Sequence, residues 1–358
     1  MNNVLHVITT IEKGGAENQL LILAEAQVQA GMEVTILPLK GKDELRLKFE
    51  EIGAKVDLSL INKLFLKQIF IFSKKYKKYD GIIHAHLPKA EILVAITTVN
   101  QNTVFTRHNS EQFFPKAPAR FSCLLSKVIS RKLKFGIAIS NAVLDFCLQN
   151  HEISSKTKMS VVYYGFTFDR YRNIDHRVKY DFGTVARLVP QKDIKTLLKA
   201  FSLLKEKGNN LKLVIIGDGE EKKALYDFAE KLHLNDSIYW AGRQENIINK
   251  ISEMKVFILT SIYEGLGLVL LEAIASNTPI LAANNTAIPE VLGDNFAGLF
   301  KTGDEVELSN LMERSLNSTF AIQLVTEYDS RVELFKVERM QEEISNIYLL
   351  TNSRKKTS

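Results

Sequence analysis

The sequence predicts an α/β fold built from two parallel-sheet domains, and three observations carry the prediction. The chain has 358 residues, too many for one typical domain and enough for two of roughly 160 to 180 residues, each able to bury its own core. Short apolar runs alternate with stretches of helical periodicity, the signature of βαβ units on a parallel sheet. The alternation then starts again after a join at Tyr163-Tyr164-Gly165-Phe166, just before the polar stretch from Asp169 to Lys179. The predicted division is 1–165, 166–335 and a terminal helical segment, 336–358. Two such sheets facing each other leave a cleft at the carboxyl ends of their strands, where open α/β sheets bind ligands.

In the first half, apolar runs predict strands at 3–9, 33–38, about 55–58, 81–85, 103–106 and 135–139. Helical patterns fall between and after them, at 15–30, 43–52, 65–78, 89–99, 119–133 and 140–149. In the second half the strands are 180–186, 211–216, 237–240, 255–259, 279–282 and 297–300, with helices at 193–206, 219–232, 244–252, 267–276 and 304–315. A last helix at about 337–351 carries Val337, Met340, Ile344 and Tyr348 on one stripe.

The most informative stretch runs from Thr260 to Glu290. The apolar strand Val256-Phe257-Ile258-Leu259 leads into a loop holding Glu264. Gly265 and Gly267 let the backbone approach a ligand closely, and helical periodicity from Leu268 points free amides into the loop, a nest suited to phosphate. Glu272 lies about a turn inside that helix, where its carboxylate can accept hydrogen bonds from both hydroxyls of a ribose. Glu264 is expected to stay free for the group beyond the phosphates.

Composition sets bounds. A hydrophobic fraction of 46% and a charged fraction of 25% are ordinary for a globular protein. No apolar run reaches the roughly 18 residues that span a bilayer, and the N-terminus enters a strand pattern without a signal peptide. The expected location is the cytoplasm. Cys123 and Cys147 fit no metal or disulfide spacing and read as core filler. The net charge of +6 is uneven, with 22 Lys and Arg against 14 Asp and Glu in residues 1–165.

Two glutamates with seven residues between them, the glycine pair after the first and Leu271-Glu272-Ala273 at the second resemble the donor-site signature of the retaining GT-B glycosyltransferases of family 4. The likeness extends from Gly14-Gly15-Ala16-Glu17 to the terminal helix. It implies two Rossmann-like domains facing across a cleft, with the first binding acceptor, the second binding nucleotide sugar, and the last helix crossing back to the first. Gly14 and Gly15 would approach the donor from the other side of the cleft, although an ordinary strand-to-helix turn would also use them. Arg187 and Lys192, in Ala186-Arg187-Leu188-Val189-Pro190-Gln191-Lys192, resemble the pair that grips the donor diphosphate. No Asp-x-Asp element suited to a divalent metal occurs in the sequence, so two fixed cations would have to neutralise the leaving group. Gly217 and Gly219 resemble a glycine turn at the donor site, or form a plain β-turn, and Arg243 sits where relatives contact the base. The backbone of Gly265, Leu266, Gly267 and Leu268 completes the donor set.

His108 matches the position where family members place a histidine beside the transferred sugar, acting through its imidazole or its carbonyl. His84 and His86 read as structural. The implied activity moves a hexose or N-acetylhexosamine from a nucleoside-diphosphate sugar, with UDP as the prior, to a hydroxyl of a lipid-linked or surface-polysaccharide acceptor. No cofactor or metal is implied beyond the sugar nucleotide as co-substrate. Two alternatives stay open: a GT-B nucleotide-sugar 2-epimerase, which needs no acceptor, and a non-catalytic sugar-nucleotide or polyanion binder.

Asn62 to Tyr79 and Phe113 to Phe135 each hold six basic residues and no acid, interleaved with Phe, Leu and Ile. Such helices suit an anionic membrane surface, and they place the protein peripherally on the inner face of the membrane. A core helix with a solvated lysine face is the alternative reading. Nucleic acid is not expected, because no binding motif accompanies the charge.

Overall fold

The computed structural model describes residues 3–98, 102–114, 117–171, 174, 176–208 and 210–352. The expected helix end at 99, the basic residue Lys116 and the terminal stretch 353–358 lie outside that set. The chain divides into two compact units, one of residues 1–166 with 335–358 and one of residues 167–334.

Unit 1 runs β1 (Asn3–Ile8), α1 (Gly15–Gln29), β2 (Glu33–Pro38), α2 (Arg46–Glu51), β3 (Lys55–Val56), α3 (Phe65–Tyr76), β4 (Ile82–His86), α4 (Pro88–Thr97), β5 (Asn102–Arg107), α5 (Ala119–Lys132), β6 (Phe135–Ala138), α6 (Asn141–Gln149) and β7 (Lys158–Val161). Its sheet has the order β3-β2-β1-β4-β5-β6-β7, and every pairing is parallel. Every residue of β4 and β5 is buried, as expected when helices cover both faces. The sequence did not announce β7. This edge strand, Lys-Met-Ser-Val, has no fully buried residue, so its pattern is too weak to read.

Unit 2 runs β8 (Tyr180–Val185), α7 (Ile194–Glu206), β9 (Leu213–Ile216), α8 (Lys222–Lys231), β10 (Ile238–Gly242), α9 (Ile247–Ile251), β11 (Met254–Leu259), α10 (Leu268–Ala275), β12 (Ile280–Asn284), α11 (Ile288–Leu292), β13 (Leu299–Lys301), α12 (Glu305–Ser315), α13 (Ser318–Thr326) and α14 (Asp329–Val332). Its parallel sheet has the order β10-β9-β8-β11-β12-β13. α7 shows why the sequence folds this way. Ile194, Leu197, Leu198, Phe201 and Leu204 share one face and are buried, while the Asp193 carboxylate accepts from the Thr196 amide and hydroxyl to start the helix. The short α11, α13 and α14 were not expected.

The last helix, α15 (Val337–Asn352), belongs to unit 1 and packs against α1 and β5. Val337, Met340, Ile344, Ile347 and Tyr348 join Val4, Leu23, Ile82 and Val104 in one core cluster. Gly165 is needed at this seam. A Cβ there would sit 2.7 Å from the Val337 Cα, closer than any side chain tolerates. Cys147 is buried and Cys123 partly buried, and both are free thiols.

Candidate active site

In unit 2 the strand order turns back between β8 and β11, so the loops at their carboxyl ends open a crevice at the topological switch point. The loop after β8 carries Arg187 and Lys192, and the loop after β11 carries Glu264, Gly265, Leu266 and Gly267.

Two glycines bring the turn after β9 directly onto the loop after β8. A Cβ on Gly217 would lie 1.8 Å from the Ala186 carbonyl oxygen at a φ of +137°, and one on Gly219 would lie 2.3 Å from the Leu188 oxygen. The Leu188 amide donates to the Asp218 carbonyl at 3.0 Å and the Glu221 amide to the Leu188 carbonyl at 2.9 Å, which fixes the two loops together. Beside them lies a cavity of about 560 Å³, lined by Arg187, Gly217, Asp218, Gly219, Arg243, Gln244 and Ile247 among others. It gathers four of the expected donor residues. Both arginines are exposed and neither forms an ion pair among the described residues. Two unmatched guanidinium groups beside a glycine turn make an anion site.

The expectation that Glu264 stays free needs correction. Lys192 Nζ donates to Glu264 Oε1 at 2.5 Å, and Ser261 Oγ donates to the same oxygen at 2.7 Å. The pair is largely out of water, with side chains 14% and 10% exposed, where a lone carboxylate would be too costly to keep charged. Oε1 therefore holds the loop, while Oε2 has no hydrogen-bond partner among the described residues. Lys192 likewise keeps two of its three N–H donors. The main chains are joined as well: Ile262 N donates to Gln191 O at 2.8 Å, and Thr260 Oγ1 donates to Lys192 O at 2.8 Å.

Gly267, at a φ of +83°, is the N-cap of α10, and no side chain caps that helix. Leu268 opens the helix and Leu266 is buried beneath it. Glu272, on the second turn, is partly buried, has no hydrogen-bond partner among the described residues, and is pushed up to about 7 by burial alone. Folding therefore favours its protonated form. Stability of the ligand-free protein should fall on this account as pH rises from the ordinary glutamate value through about 7. Glu272→Gln should flatten that slope in thermal unfolding curves recorded across the range; an unchanged slope would remove Glu272 as its source.

In unit 1, Gly14 and Gly15 stand at the start of α1, where Gly14 is extended and no side chain caps the helix. His108 follows β5, and both of its ring nitrogens are engaged by the protein. The network starts from Gln27, whose Oε1 accepts from His6 Nε2 at 2.8 Å. His6 Nδ1 must then accept from His86 Nε2, at 2.9 Å. His86 Nδ1 in turn accepts from His108 Nε2 at 3.2 Å, and His108 Nδ1 accepts from the Tyr164 hydroxyl. On the far side Gln27 Nε2 donates to the Tyr348 hydroxyl at 3.2 Å, which donates to His84 Nδ1 at 2.7 Å, and His84 Nε2 donates to Thr106 Oγ1 at 2.7 Å. One directed chain thus fixes four neutral imidazoles. Burial depresses them all, His6 to about 4 and His108 to about 3, with His84 and His86 also well below the usual range. The nitrogens of His6, His84 and His86 lie within 4.8 Å of one another, close enough for a metal ion; each already has a protein partner. Of the two modes expected for His108, the carbonyl is the one left without a donor among the described residues.

Family models match the two units in turn. The model for glycosyl transferases group 1 covers residues 172–327, and that for glycosyltransferase family 4 covers residues 13–170. The chain belongs to the group 1 glycosyltransferases. An uncharacterized glycosyltransferase of Methanocaldococcus jannaschii is 27% identical over 214 residues, 54% of this chain and 51% of that protein, so the match spans about half of that relative's length. The capsular polysaccharide biosynthesis glycosyltransferase CapM of Staphylococcus aureus is 24% identical over 80% of this chain and 81% of its own. The crystal structure of Anabaena HepE in complex with UDP-glucose superposes with a TM-score of 0.82 at 19% identity, over 96% of this chain and 98% of that one, and it shares the GT-B fold.

This glycosyltransferase also uses residues that the sequence did not mark. Thr286 Oγ1 accepts from the Glu264 amide at 2.9 Å, and Asn285 Nδ2 donates to the Ser261 carbonyl at 2.7 Å. Thr286 holds a φ of +43°, rare for a β-branched residue and characteristic of functional loops. In Asn284-Asn285-Thr286-Ala287, two side chains thus brace the Glu264 loop. Asn277, at +49°, fills the left-handed position after α10 where glycine is usual.

Proposed function

We propose that this glycosyltransferase moves a hexose or N-acetylhexosamine, with retention and without a metal, from UDP-sugar to a hydroxyl of a lipid-linked or surface-polysaccharide acceptor. The observation that carries the reading is the 560 Å³ cavity with Arg187 and Arg243 unmatched beside the Gly217-Asp218-Gly219 turn. HepE, crystallised with UDP, with UDP and glucose, and with UDP-glucose, and CapM, named for capsular polysaccharide biosynthesis, support the donor and acceptor classes. In this reading unit 2 binds the donor and unit 1 presents the acceptor.

The Glu272 carboxylate takes the ribose hydroxyls, the Gly267 and Leu268 backbone takes a phosphate, and Arg187 with Lys192 holds the diphosphate. Glu264 Oε2 orients the sugar hydroxyls and is not a nucleophile. As the bond from the anomeric carbon to the phosphate oxygen breaks, the acceptor oxygen attacks from the same face and its proton passes to a donor phosphate oxygen. UDP leaves with its charge balanced by the two cations, the role a metal fills elsewhere.

A panel of sugar nucleotides should raise the unfolding midpoint selectively for the true donor. Arg187→Ala should weaken that donor about 10- to 100-fold, the scale of one charge-assisted contact, and unchanged affinity would refute the assignment. Product analysis separates transfer, which releases UDP, from 2-epimerisation, which yields an isomeric sugar nucleotide without acceptor.

The membrane part of the proposal rests on α5. This helix buries Ser122, Ser126 and Ser130 and exposes Phe121, Leu124 and Val128, at 58%, 62% and 48%, among Arg120, Lys127, Arg131 and Lys132. Ile129 and Leu125 hold it to the core, and its exposed face is a mixture of apolar and basic side chains. α3 does the same in part, for Phe72 and Tyr76 join the core while Leu64, Leu66 and Phe70 face outward among lysines. α4 packs against both helices, so the two basic surfaces share one face of unit 1. No described helix is long and apolar enough to cross a membrane. Flotation with anionic liposomes at low salt, with release at high salt, is the expected result; Leu124→Glu should abolish it, and failure of the wild type to float would end this part of the proposal.

A further inference from the structure

The inner face of α5 carries hydroxyls where a helix packed on a core ordinarily carries leucine or isoleucine. Ser122, Ser126 and Ser130 recur at every fourth residue and are fully buried, so they lie one above another on a single stripe. Each engages a particular partner. Ser122 Oγ accepts from the Phe114 amide at 2.9 Å and Ser130 Oγ from the Ser154 amide at 3.1 Å. Between them, Ser126 Oγ accepts from Arg107 Nη2 at 2.9 Å and donates to the Glu152 carbonyl at 2.8 Å.

Two of these partners bracket the segment that carries His108. Arg107 ends β5 just before it, and Phe114 lies six residues beyond it. The Arg107 guanidinium is itself clamped from three sides. Its Nη2 lies 3.0 Å from Glu91 on α4, its Nη1 lies 3.4 Å from Glu152, and its carbon sits 4.4 Å from the Phe113 ring centroid. Glu152 Oε1 in turn accepts from the Phe113 amide at 2.9 Å. A buried triad of this kind tolerates little displacement, because moving one member strands the charge of the others. Residues 108–114 are therefore tied to α5 at both ends.

The opposite side of α5 exposes Phe121, Leu124 and Val128 among four basic side chains. A bilayer that takes in those three apolar groups fixes the depth and tilt of the helix. Hydrogen bonds hold only within narrow limits of distance and angle, so a restraint on α5 passes directly to Arg107 and Phe114. Rigidifying one part of a bonded unit also suppresses opening of the rest. We propose that docking of α5 on an anionic bilayer orders residues 108–114, so that the membrane sets the loop bearing His108. The inference rests on the membrane part of the reading above and adds to it a regulation of the site. By linkage, a ligand that orders this loop strengthens membrane attachment by the same factor.

Hydrogen exchange at the amides of residues 109–114, recorded on the full chain alone, with phosphatidylglycerol vesicles and with phosphatidylcholine vesicles, tests it. Phosphatidylglycerol should slow exchange roughly three- to tenfold, the scale of one hydrogen bond's net worth, and phosphatidylcholine should leave it unchanged. Ser122→Ala/Ser126→Ala leaves the outer face of α5 intact, so the variant should float with phosphatidylglycerol vesicles as the wild type does while the slowing is lost. Ser126→Ala alone should lose part of it, and reads the same link if the double variant proves too unstable to purify. Wild-type protein that floats without slowed exchange would overturn the proposal and leave the membrane reading standing. Slowing that persists undiminished in the serine variants would overturn it too, since the vesicle would then be shielding the loop directly. Failure of the wild type to float would reject both.

Discussion

Glu264→Ala is expected to abolish transfer and also to destabilise the protein, by about 3–5 kcal/mol if the buried pair behaves as such pairs do when one partner is removed. Lys192 would be left largely buried without its carboxylate, and Ser261 Oγ would lose its acceptor. For a unit of this size that loss corresponds to a fall of roughly 6–20 °C in midpoint. Glu264→Gln should lose less, because the amide oxygen still accepts from both donors. The double variant Glu264→Ala/Lys192→Met is the decisive comparison: it removes the orphaned charge, so stability should recover while activity stays lost. Thermal unfolding alongside a transfer assay reads both. A single Glu264→Ala variant with wild-type stability would show that Lys192 and Glu264 do not form the buried pair, and would leave Glu264 with a purely substrate-facing role.

The sequence made the frame of this site legible because the frame is local. Strand periodicity ends at Leu259, two glycines follow, and helical periodicity begins at Leu268, so the loop, the uncapped helix and the inward Glu272 could be placed from adjacent residues. Gly217 and Gly219 were legible as a turn. Their reason, carbonyl oxygens of Ala186 and Leu188 lying where a Cβ would go, depends on a loop some thirty residues earlier. The state of Glu264 was misread for the same cause. Its loop, taken alone, offers no cation, whereas the fold delivers Lys192 from the neighbouring strand end. Thr286 and Asn285 carried no recognisable pattern, since bracing a loop by one hydroxyl and one amide leaves no periodic trace. The histidines of unit 1 were half-legible. His84 and His86 alternate on one strand, and His6 pairs in register with His84 on the next, so all three point to one face. Their partners Gln27 and Tyr348 come from two helices 321 residues apart, a separation that local reading cannot span.

That network sets the second large expectation. His86→Leu should cost about 2–6 kcal/mol, because it leaves His108 Nε2–H and His6 Nδ1 buried without partners, each at a typical desolvation penalty. A structural histidine alone would give that loss of stability, so the distinguishing measurement is the tautomer of His108. With the chain intact, Gln27 Oε1 dictates Nε2–H on His6, His86 and His108 in turn, and the Tyr164 proton points at His108 Nδ1. Breaking the middle link frees His108 to exchange tautomers, and Tyr164 to reverse. Nitrogen NMR of the imidazoles should show a single His108 tautomer in the wild type and a mixture in His86→Leu. A mixture already present in the wild type would mean that the chain has no fixed direction. The same residues govern acid stability. Their depressed values mean that the unfolded chain binds protons the folded one refuses, so stability is full above the ordinary histidine range and falls as pH drops from about 6.5 towards 4. Glu91 and Glu272, both raised to about 7, and Glu17 and Glu152, raised by burial, give the opposite slope. Removing His86 should therefore make the acid limb of the unfolding profile shallower even as it lowers the plateau, two effects of opposite sign from one buried ring.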